Sequence, residues 1–311
     1  MIIGFWFAAA LSAVIQAPSR TNRQVAVTFD DLPVVSRVFN DDAGHERITT
    51  RLVAAVSRQR VPAIGFVNEG KMHRSGAVDP RQVALLRQWV SAGLELGNHS
   101  YSHFDLHTTD ASTFIHDVVV GDSITRQVLG EVGRRPRYFR HPFLHTGRDL
   151  ATRAQLLDSL VAHGYSVAPV TIDNYDYLFA AAYERELGRR DSVAARRVAD
   201  EYVDYMTRVF AYYERQSTSL MSREIPQVLL LHASALNADT FDRMAGMIRA
   251  RGYTFIPLEQ ALADSAYRSS DTYVGPAGIT WLHRWALTRG LRGAVFAGEP
   301  EVPEHIAAAA R

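Results

Sequence analysis

The stretch Leu94-Glu95-Leu96-Gly97-Asn98-His99-Ser100-Tyr101-Ser102-His103 decides how the fold is interpreted. Its first four residues are typical of a short buried strand, and two histidines four residues apart follow that strand. In a helical turn this spacing places both imidazoles on one face. Neutral imidazole is a frequent ligand of zinc and related divalent ions. We therefore expect His99 and His103 to bind one metal ion just past a strand end, although such pairs also arise by chance in surface loops.

The composition limits the class of protein. The chain has 311 residues, of which 47% are hydrophobic, and a formal net charge of +1. This balance is ordinary for a globular enzyme and argues against nucleic acid as a partner, because a dedicated nucleic-acid-binding protein carries a basic face. The chain contains no cysteine, so disulfides, thiolate nucleophiles and zinc–thiolate sites are excluded. A bound metal must be held by histidine and carboxylate.

The first 17 residues have the character of a targeting segment. They contain no charged side chain and centre on the apolar run at residues 5–11. This run is short for a membrane span and fits the hydrophobic region of a signal peptide. We expect cleavage after Ala13 or Ala17, export to the periplasm, cell envelope or medium, and no stable membrane span in the mature protein. An uncleaved anchor is the alternative.

Apolar strand-like runs and helix-like segments alternate along the rest of the chain. Strands are predicted at residues 24–29, 62–67, 94–97, 137–139, 165–172, 226–231 and 253–256. Helices are predicted near residues 46–59, 80–92, 110–129, 149–163 and 238–250, and from Pro257 onward. This alternation predicts parallel strands joined by crossover helices. About seven near-continuously apolar strands favour an α/β fold with a distorted parallel (β/α) barrel, and an open doubly wound sheet is the alternative.

The predicted barrel domain occupies residues 24–270, with additions inside and after it. Residues 177–223 are helical in pattern and too long for a barrel loop, so they predict a helical insertion. Residues 271–311 are predicted to form a helical C-terminal extension packed on the barrel, with an amphipathic helix at residues 279–285 and a frayed end from Gly298.

Polar side chains recur where the predicted strands end. They are Asp30 and Asp31, His99 and His103, Arg140, Asp173 and Asp176, and His232. The carboxyl ends of barrel strands meet at one rim, where enzymes of this architecture hold their reactive groups. Two histidines and one aspartate would leave coordination positions open for water and substrate. We expect one aspartate of the pair to bind metal and the other to act as a base, with His232 as an acid and Arg140 paired with the free carboxylate.

Five segments together resemble the motifs of a known family. They are Thr28-Phe29-Asp30-Asp31, His99-Ser100-Tyr101-Ser102-His103, Arg140-His141-Pro142-Phe143, Asp173-Asn174-Tyr175-Asp176-Tyr177 and Leu229-Leu230-Leu231-His232. In this order they resemble the polysaccharide deacetylases, the NodB-homology group or carbohydrate esterase family 4, over about residues 24–262. The resemblance implies a distorted β/α barrel and a metal-dependent hydrolase that removes acetyl groups from N-acetylated sugars, as in peptidoglycan or chitin-like glycan. The expected metal is Zn²⁺, with Co²⁺ or another divalent ion as alternatives.

The resemblance also implies a role for each motif residue. Asp30 matches the general base, Asp31, His99 and His103 the metal ligands, Arg140 the arginine that tunes the base, and His232 the general acid. The backbone N–H near Phe143, next to Pro142, would help to hold the oxyanion. Either Asp173 or Asp176 would orient His232, and the motif does not decide between them.

Some features depart from the family pattern or leave alternatives open. Phe143 stands where tyrosine is usual, which changes little because the donor expected there is a backbone N–H. Tyr177 stands where tryptophan is usual, which would reshape the wall that contacts the acetyl group. His107, His141 and His145 are interpreted as loop residues and not as ligands. Alternative functions are hydrolysis of O-acetyl esters or a small cyclic amide, oxygenase chemistry at a two-histidine, one-carboxylate iron site, and glycan binding without catalysis. No oligomeric state is predicted.

Overall fold

The computed structural model describes residues 23–310, so the predicted signal peptide at residues 1–17 lies outside the described residues. The strands are β1 (Arg23–Leu32), β2 (Ile64–Val67), β3 (His73–Arg74), β4 (Ala77–Val78), β5 (Glu95–Asn98), β6 (Tyr138–Phe139), β7 (Ser166–Val167), β8 (Gln227–His232) and β9 (Tyr253–Phe255). The helices are α1 (Asp42–Arg58), α2 (Pro80–Ser91), α3 (Ala111–Val120), α4 (Ser123–Gly130), α5 (Leu150–Ala162), α6 (Asp176–Gly188), α7 (Ser192–Met221), α8 (Ala235–Ala250), α9 (Leu258–Leu262), α10 (Trp281–Thr288) and α11 (Glu304–Ala309).

Seven strands form one curled parallel sheet. Their order is β7-β6-β5-β2-β1-β8, and β9 pairs with the start of β1. Beyond β7 the chain reaches β8 through a parallel bridge between Ile172 and Leu229, which draws the two edges of the sheet together. This curled α/β sheet with crossover helices confirms the predicted distorted barrel. Strands β3 and β4 form a separate antiparallel pair.

Strand β1 is the centre of the sheet because it pairs with β2, β8 and β9. Its segment from Val25 to Asp30 is buried throughout. The ring of Phe29 packs edge-on against Trp89 of α2, with ring centroids 5.6 Å apart. A parallel strand covered on both faces must be apolar almost without interruption, and this is why the run was recognisable in the sequence.

The helices begin where side chains cap their first N–H groups. The carboxylates of Asp41, Asp79 and Asp149 accept from backbone N–H groups at the starts of α1, α2 and α5. Helix α1 therefore starts at Asp42, earlier than predicted. Its apolar positions, including Ile48, face the core.

Three elements differ from the sequence-based prediction. The helix predicted at residues 110–129 is divided into α3 and α4 at Gly121, where the loop after β5 comes so close that a Cβ would lie 2.5 Å from the carbonyl carbon of Ser100. The strand predicted at residues 165–172 is reduced to β7, because the chain leaves β6 and turns towards β8. The end predicted to be frayed contains α11, whose Ile306 is buried.

The insertion and the C-terminal segment pack on the sheet and its helices. Helices α6 and α7 contact each other and α8, while α11 contacts α6 and α10 contacts α7. Trp281 and Trp285 of α10 are buried, so their rings serve packing. None of the helices in the described range combines the length and apolar character needed to cross a membrane.

Candidate active site

The strand ends bring most of the predicted site residues to one rim of the barrel. Asp30 of β1 and His232 of β8 are register partners, His99 follows β5 and Arg140 follows β6. A cavity of about 480 Å³ opens at this rim. Its walls include Asp30, Asp31, His99, His103, His232 and Asp173.

Asp31, His99 and His103 face one another with the spacing of metal ligands. Asp31 Oδ1 lies 3.8 Å from His99 Nε2 and 3.5 Å from His103 Nε2. His99 Nδ1 lies 2.8 Å from the carbonyl oxygen of Arg140, which places the ring proton on Nδ1 and leaves Nε2 as the lone-pair donor. The two rings are inclined at 73°. This two-histidine, one-carboxylate set fits Zn²⁺ or a similar divalent ion.

The two histidines converge through a loop, so the prediction that they enter a helical turn is wrong. Ser100 and His103 have φ angles of 64° and 56°, and the hydroxyl of Ser100 accepts from the His103 N–H at 3.1 Å. Five of the nine non-glycine residues with positive φ in the described range lie at this rim: Asp31, Ser100, His103, Phe143 and Leu144. Such backbone conformations cost free energy and concentrate at functional sites.

The protonation states also suit metal binding. Burial lowers the pKa of both His99 and His103 to about 4, so both rings are neutral at pH 7. Burial alone would raise the pKa of Asp31, but Lys71 and the histidines hold it below its usual value. A metal ion requires this combination of neutral imidazoles and an ionised carboxylate.

Asp30 lines the cavity, and Arg140 holds one of its two carboxylate oxygens. The guanidinium is fully buried and lies 3.3 Å from Asp30 Oδ2, and it also donates to the carbonyl oxygen of Ala168 and to the hydroxyl of Thr28. Asp30 Oδ1 is buried and has no hydrogen-bond partner among the described residues. Burial raises the pKa of Asp30, and the charge of Arg140 opposes this only in part.

His232 is paired with Asp176, which answers the question left open by the motif. His232 Nδ1 lies 2.7 Å from Asp176 Oδ1, while Asp176 Oδ2 accepts from the backbone N–H of His232 and from Asn237 Nδ2, both at 2.7 Å. Burial lowers the pKa of His232, but the carboxylate of Asp176, together with the charges of Asp31 and Asp30, outweighs burial and raises it to about 10. Asp173 instead accepts from the N–H of Asn174 at 2.8 Å, and burial raises its pKa to about 6.

The third motif forms a tight turn beside His103. Residues Pro142–Leu144 are one 3₁₀ turn, and the ring centroid of Phe143 lies 4.6 Å from that of His103. Within residues 23–310 the Phe143 N–H has no hydrogen-bond acceptor. On the other side of the cavity, the half-exposed ring of Tyr177 lies 6.1 Å from His232.

A second group of potential ligands, Asp105, His107 and His145, lies outside this cavity. His145 Nδ1 is in direct hydrogen-bond contact with Asp105 Oδ1 at 2.7 Å. The rings of His107 and His145 are stacked, with centroids 3.9 Å apart and planes inclined by 7°. An imidazole lone pair lies in the ring plane, so two stacked rings cannot both direct lone pairs at one ion. His141 is buried, and neither of its ring nitrogens has a partner among the described residues.

Sequence reasoning missed two residues that contact the site. Lys71 Nζ donates to the backbone oxygen of Asp31 at 2.9 Å and lies 3.9 Å from its carboxylate. Lys71 follows the end of β2, so the strand-end argument could have found it. Asn237, which binds Asp176, lies in the first turn of α8 after the cap Ser234, and the sequence shows only the cap.

Two sequence comparisons bear on the family. Residues 17–167 match the family model described as polysaccharide deacetylase. A chitin deacetylase from Pestalotiopsis sp. is 28% identical over 179 residues, which cover 55% of this chain and 55% of the relative. The chain thus spans about half the length of this curated relative. The matched residues 17–167 include the first three motifs, whereas Asp176 and His232 lie beyond them.

Solved structures share the fold. A mutant of a carbohydrate esterase family 4 pseudoenzyme from Bacillus anthracis has a TM-score of 0.52 and is 15% identical, covering 78% of this chain and 68% of that chain. Another mutant of it, with restored enzymatic activity, has a TM-score of 0.50 at the same identity and coverage. At such identity the likeness shows the fold alone. The family match over the first three motifs confirms the resemblance of this chain to the polysaccharide deacetylases of carbohydrate esterase family 4, and the curled barrel is the fold that carries these motifs.

Proposed function

We propose that this chain is a metal-dependent deacetylase that hydrolyses the N-acetyl group of N-acetylglucosamine-type units in cell-wall or surface glycan. The observation that carries the proposal is the pair formed by Asp30 and His232 across one cavity. Asp30 has a buried oxygen without a hydrogen-bond partner among residues 23–310, and the pKa of His232 is raised to about 10. Amide hydrolysis needs a base for water and an acid for the leaving amine, and these two groups supply both.

Asp31, His99 and His103 would hold the divalent ion, most suitably Zn²⁺, with Co²⁺ as a substitute. The bound ion would polarise the acetyl carbonyl and acidify the attacking water. The neutral histidines and the anionic carboxylate support this assignment.

The chain's own residues would then move the protons. Asp30 accepts a proton from the attacking water at Oδ1, while Arg140 holds Oδ2 and fixes the orientation of the carboxylate. His232, whose Nδ1 is held by Asp176, donates from Nε2 to the leaving amine. The Phe143 N–H donates to the acetyl oxygen as that oxygen gains negative charge.

The aromatic side chains at the mouth of the cavity favour a sugar as the substrate. Three aromatic side chains there are about half exposed: Phe143 at 54%, Tyr175 at 45% and Tyr177 at 47%. Aromatic faces offer apolar area with a polar edge, which suits a sugar ring. Export is part of the same proposal, because cell-wall glycan lies outside the cytoplasm and residues 1–17 have the composition of a signal peptide.

The direct test is acetate release from chitooligosaccharides, peptidoglycan fragments and acetylated xylan. We expect release from one of the two N-acetylated substrates, loss of activity with a chelator, and recovery with Zn²⁺. The matched control is Asp30→Asn, which should bind the same glycans without turnover. Release from xylan alone would favour ester hydrolysis, and binding without release from any substrate would favour the non-catalytic alternative.

A further inference from the structure

The C-terminal segment at residues 271–284 reaches the cavity at Gly278. A Cβ on this residue would lie 1.7 Å from the carbonyl oxygen of Phe143 and 3.1 Å from the Cβ of Leu144. The φ angle of Gly278 is not in the positive region, so a left-handed conformation is not the reason for glycine here. Glycine is therefore required here by space, because the backbone of the segment lies directly against the Phe143 carbonyl.

The turn that Gly278 touches needs support from outside. Phe143 and Leu144 have φ angles of 57° and 56° in succession, a conformation that L-residues with side chains disfavour. The turn's own hydrogen bonds run from Leu144 N–H to His141 and from His145 N–H to Pro142. Such strained turns persist where surrounding contacts determine them. Gly278 provides such a contact at the carbonyl group of Phe143, the residue that also carries the N–H in question.

The segment is anchored to the rest of the fold after that contact, and its two ends are joined to each other. The buried guanidinium of Arg284 donates to the carboxylate of Asp271 and to the hydroxyl of Thr146, each at 2.8 Å. The N–H of Trp281 donates to the carbonyl oxygen of Val170 at 2.7 Å. Thr146 lies two residues after Leu144. The segment therefore contacts the turn at the Phe143 carbonyl, through Gly278, and contacts the chain just after the turn, through Arg284.

We propose that Gly278 is a positioning residue for the deacetylation reaction: it fixes the Pro142–Leu144 turn so that the Phe143 N–H points into the cavity. This inference rests on the proposed function, in which that N–H donates to the acetyl oxygen. It also gives the 271–284 segment a role at the site.

The test compares Gly278→Ala with Gly246→Ala in the full chain loaded with Zn²⁺. In α8, a Cβ on Gly246 would meet nothing within 4 Å, so this control should leave kcat unchanged. Gly278→Ala should lower kcat at least tenfold, towards the roughly 10²–10³-fold known for loss of one oxyanion donor. KM and zinc content should stay constant, since the interaction is made only in the transition state. A wild-type kcat in Gly278→Ala would overturn the proposal.

A second pair covers the outcome in which Gly278→Ala does not fold. Thr146→Val removes the hydroxyl that accepts from Arg284, and Thr146→Ser keeps it. Thr146→Val should lower kcat while its zinc content stays unchanged. Thr146→Ser should keep kcat close to that of the wild type. Equal kcat in both would count against the anchored turn.

A readout without turnover separates this inference from the proposed function. With ¹⁵N-labelled phenylalanine, titration with acetate, the expected product, should shift the Phe143 amide resonance in the wild type and not in Gly278→Ala or Thr146→Val. A wild-type protein that shows this shift but releases no acetate from any glycan would refute the activity and leave the positioning role standing. Equal shifts in all variants would refute the positioning role.

Discussion

Replacing Asp176 with asparagine tests the acid half of the mechanism. Asp176 is fully buried and uses Oδ1 for His232 Nδ1 and Oδ2 for two N–H donors, from His232 and Asn237. Asparagine has one acceptor oxygen, so its NH₂ must face either the imidazole or the two donors. The substitution thus removes the charge that favours the imidazolium and breaks part of the network that orients the ring.

The magnitude follows from the pKa of His232, which burial lowers but which Asp176, with smaller contributions from Asp31 and Asp30, raises from 6.5 to about 10. His232 must be protonated to donate, so its activity is present below that pKa and is lost as the pH rises through it. At the ordinary imidazole pKa of about 6.5, roughly 3% of the acid form remains at pH 8. Without the carboxylate, burial lowers this fraction, while the charges of Asp31 and Asp30 oppose burial. Protonation alone therefore costs about 30-fold at pH 8, and loss of orientation brings the total to roughly 10²–10⁴-fold.

The assay is the pH profile of kcat/KM for acetate release between pH 5 and 11. We expect the alkaline limb to move down towards about pH 6.5 in Asp176→Asn, with metal content unchanged. Asp173→Asn is the matched comparison, because Asp173 lies in the same motif and lines the same cavity but bonds to Asn174. If the limb moves in Asp173→Asn and stays in place in Asp176→Asn, the pairing assigned to His232 is refuted.

Three further predictions address the metal site, the base and export. Asp30→Asn should keep its metal while kcat falls about 10²-fold or more, whereas Asp31→Asn should bind metal weakly; metal analysis and rates on the same samples decide, and the opposite pattern would reverse the two roles. His103→Ala should lose metal and activity together, while His145→Ala, in the stacked pair, should keep stoichiometric metal, and loss of metal in His145→Ala alone would contradict this. Protein from an exporting host should begin between Val14 and Pro18 by N-terminal sequencing, and full-length protein in the cytosol would argue against cleavage.

The strands buried on both faces could be predicted because burial dictates their composition. The runs predicted at residues 24–29 and 226–231 correspond to β1 and β8. The run at residues 165–172 is equally apolar, but only its start pairs with β6, while Ile172 pairs with β8. Apolar character reports burial and not the identity of the neighbouring strand. The signal for a break within the run is Pro169, which cannot donate a hydrogen bond to a strand ladder.

At the site, the residue types could be predicted but not the loop geometry that joins them. The path from His99 to His103 is set by distant hydrogen bonds, from Glu69 N–H to Ser100 and from Tyr101 N–H to Asp117. Local spacing contains no information on such partners, and helical geometry was the wrong inference from it. For the same reason the fourth motif did not distinguish Asp173 from Asp176, which depends on where α6 begins relative to β8.

The different environments of two adjacent aspartates have a structural cause in β1. Asp30 keeps the strand register and lies opposite His232, with one oxygen held by Arg140. The register between β1 and β2 then shifts between Phe29 and Leu32, and Asp31 adopts a φ of 65°. Irregularities of this kind re-aim side chains next to active sites. Ordinary strand alternation would send the Asp31 side chain to the opposite face of the sheet from Asp30. The irregularity therefore accounts for both carboxylates reaching one cavity. Asp31 lies there beside the two histidines, and Asp30 lies beside Arg140.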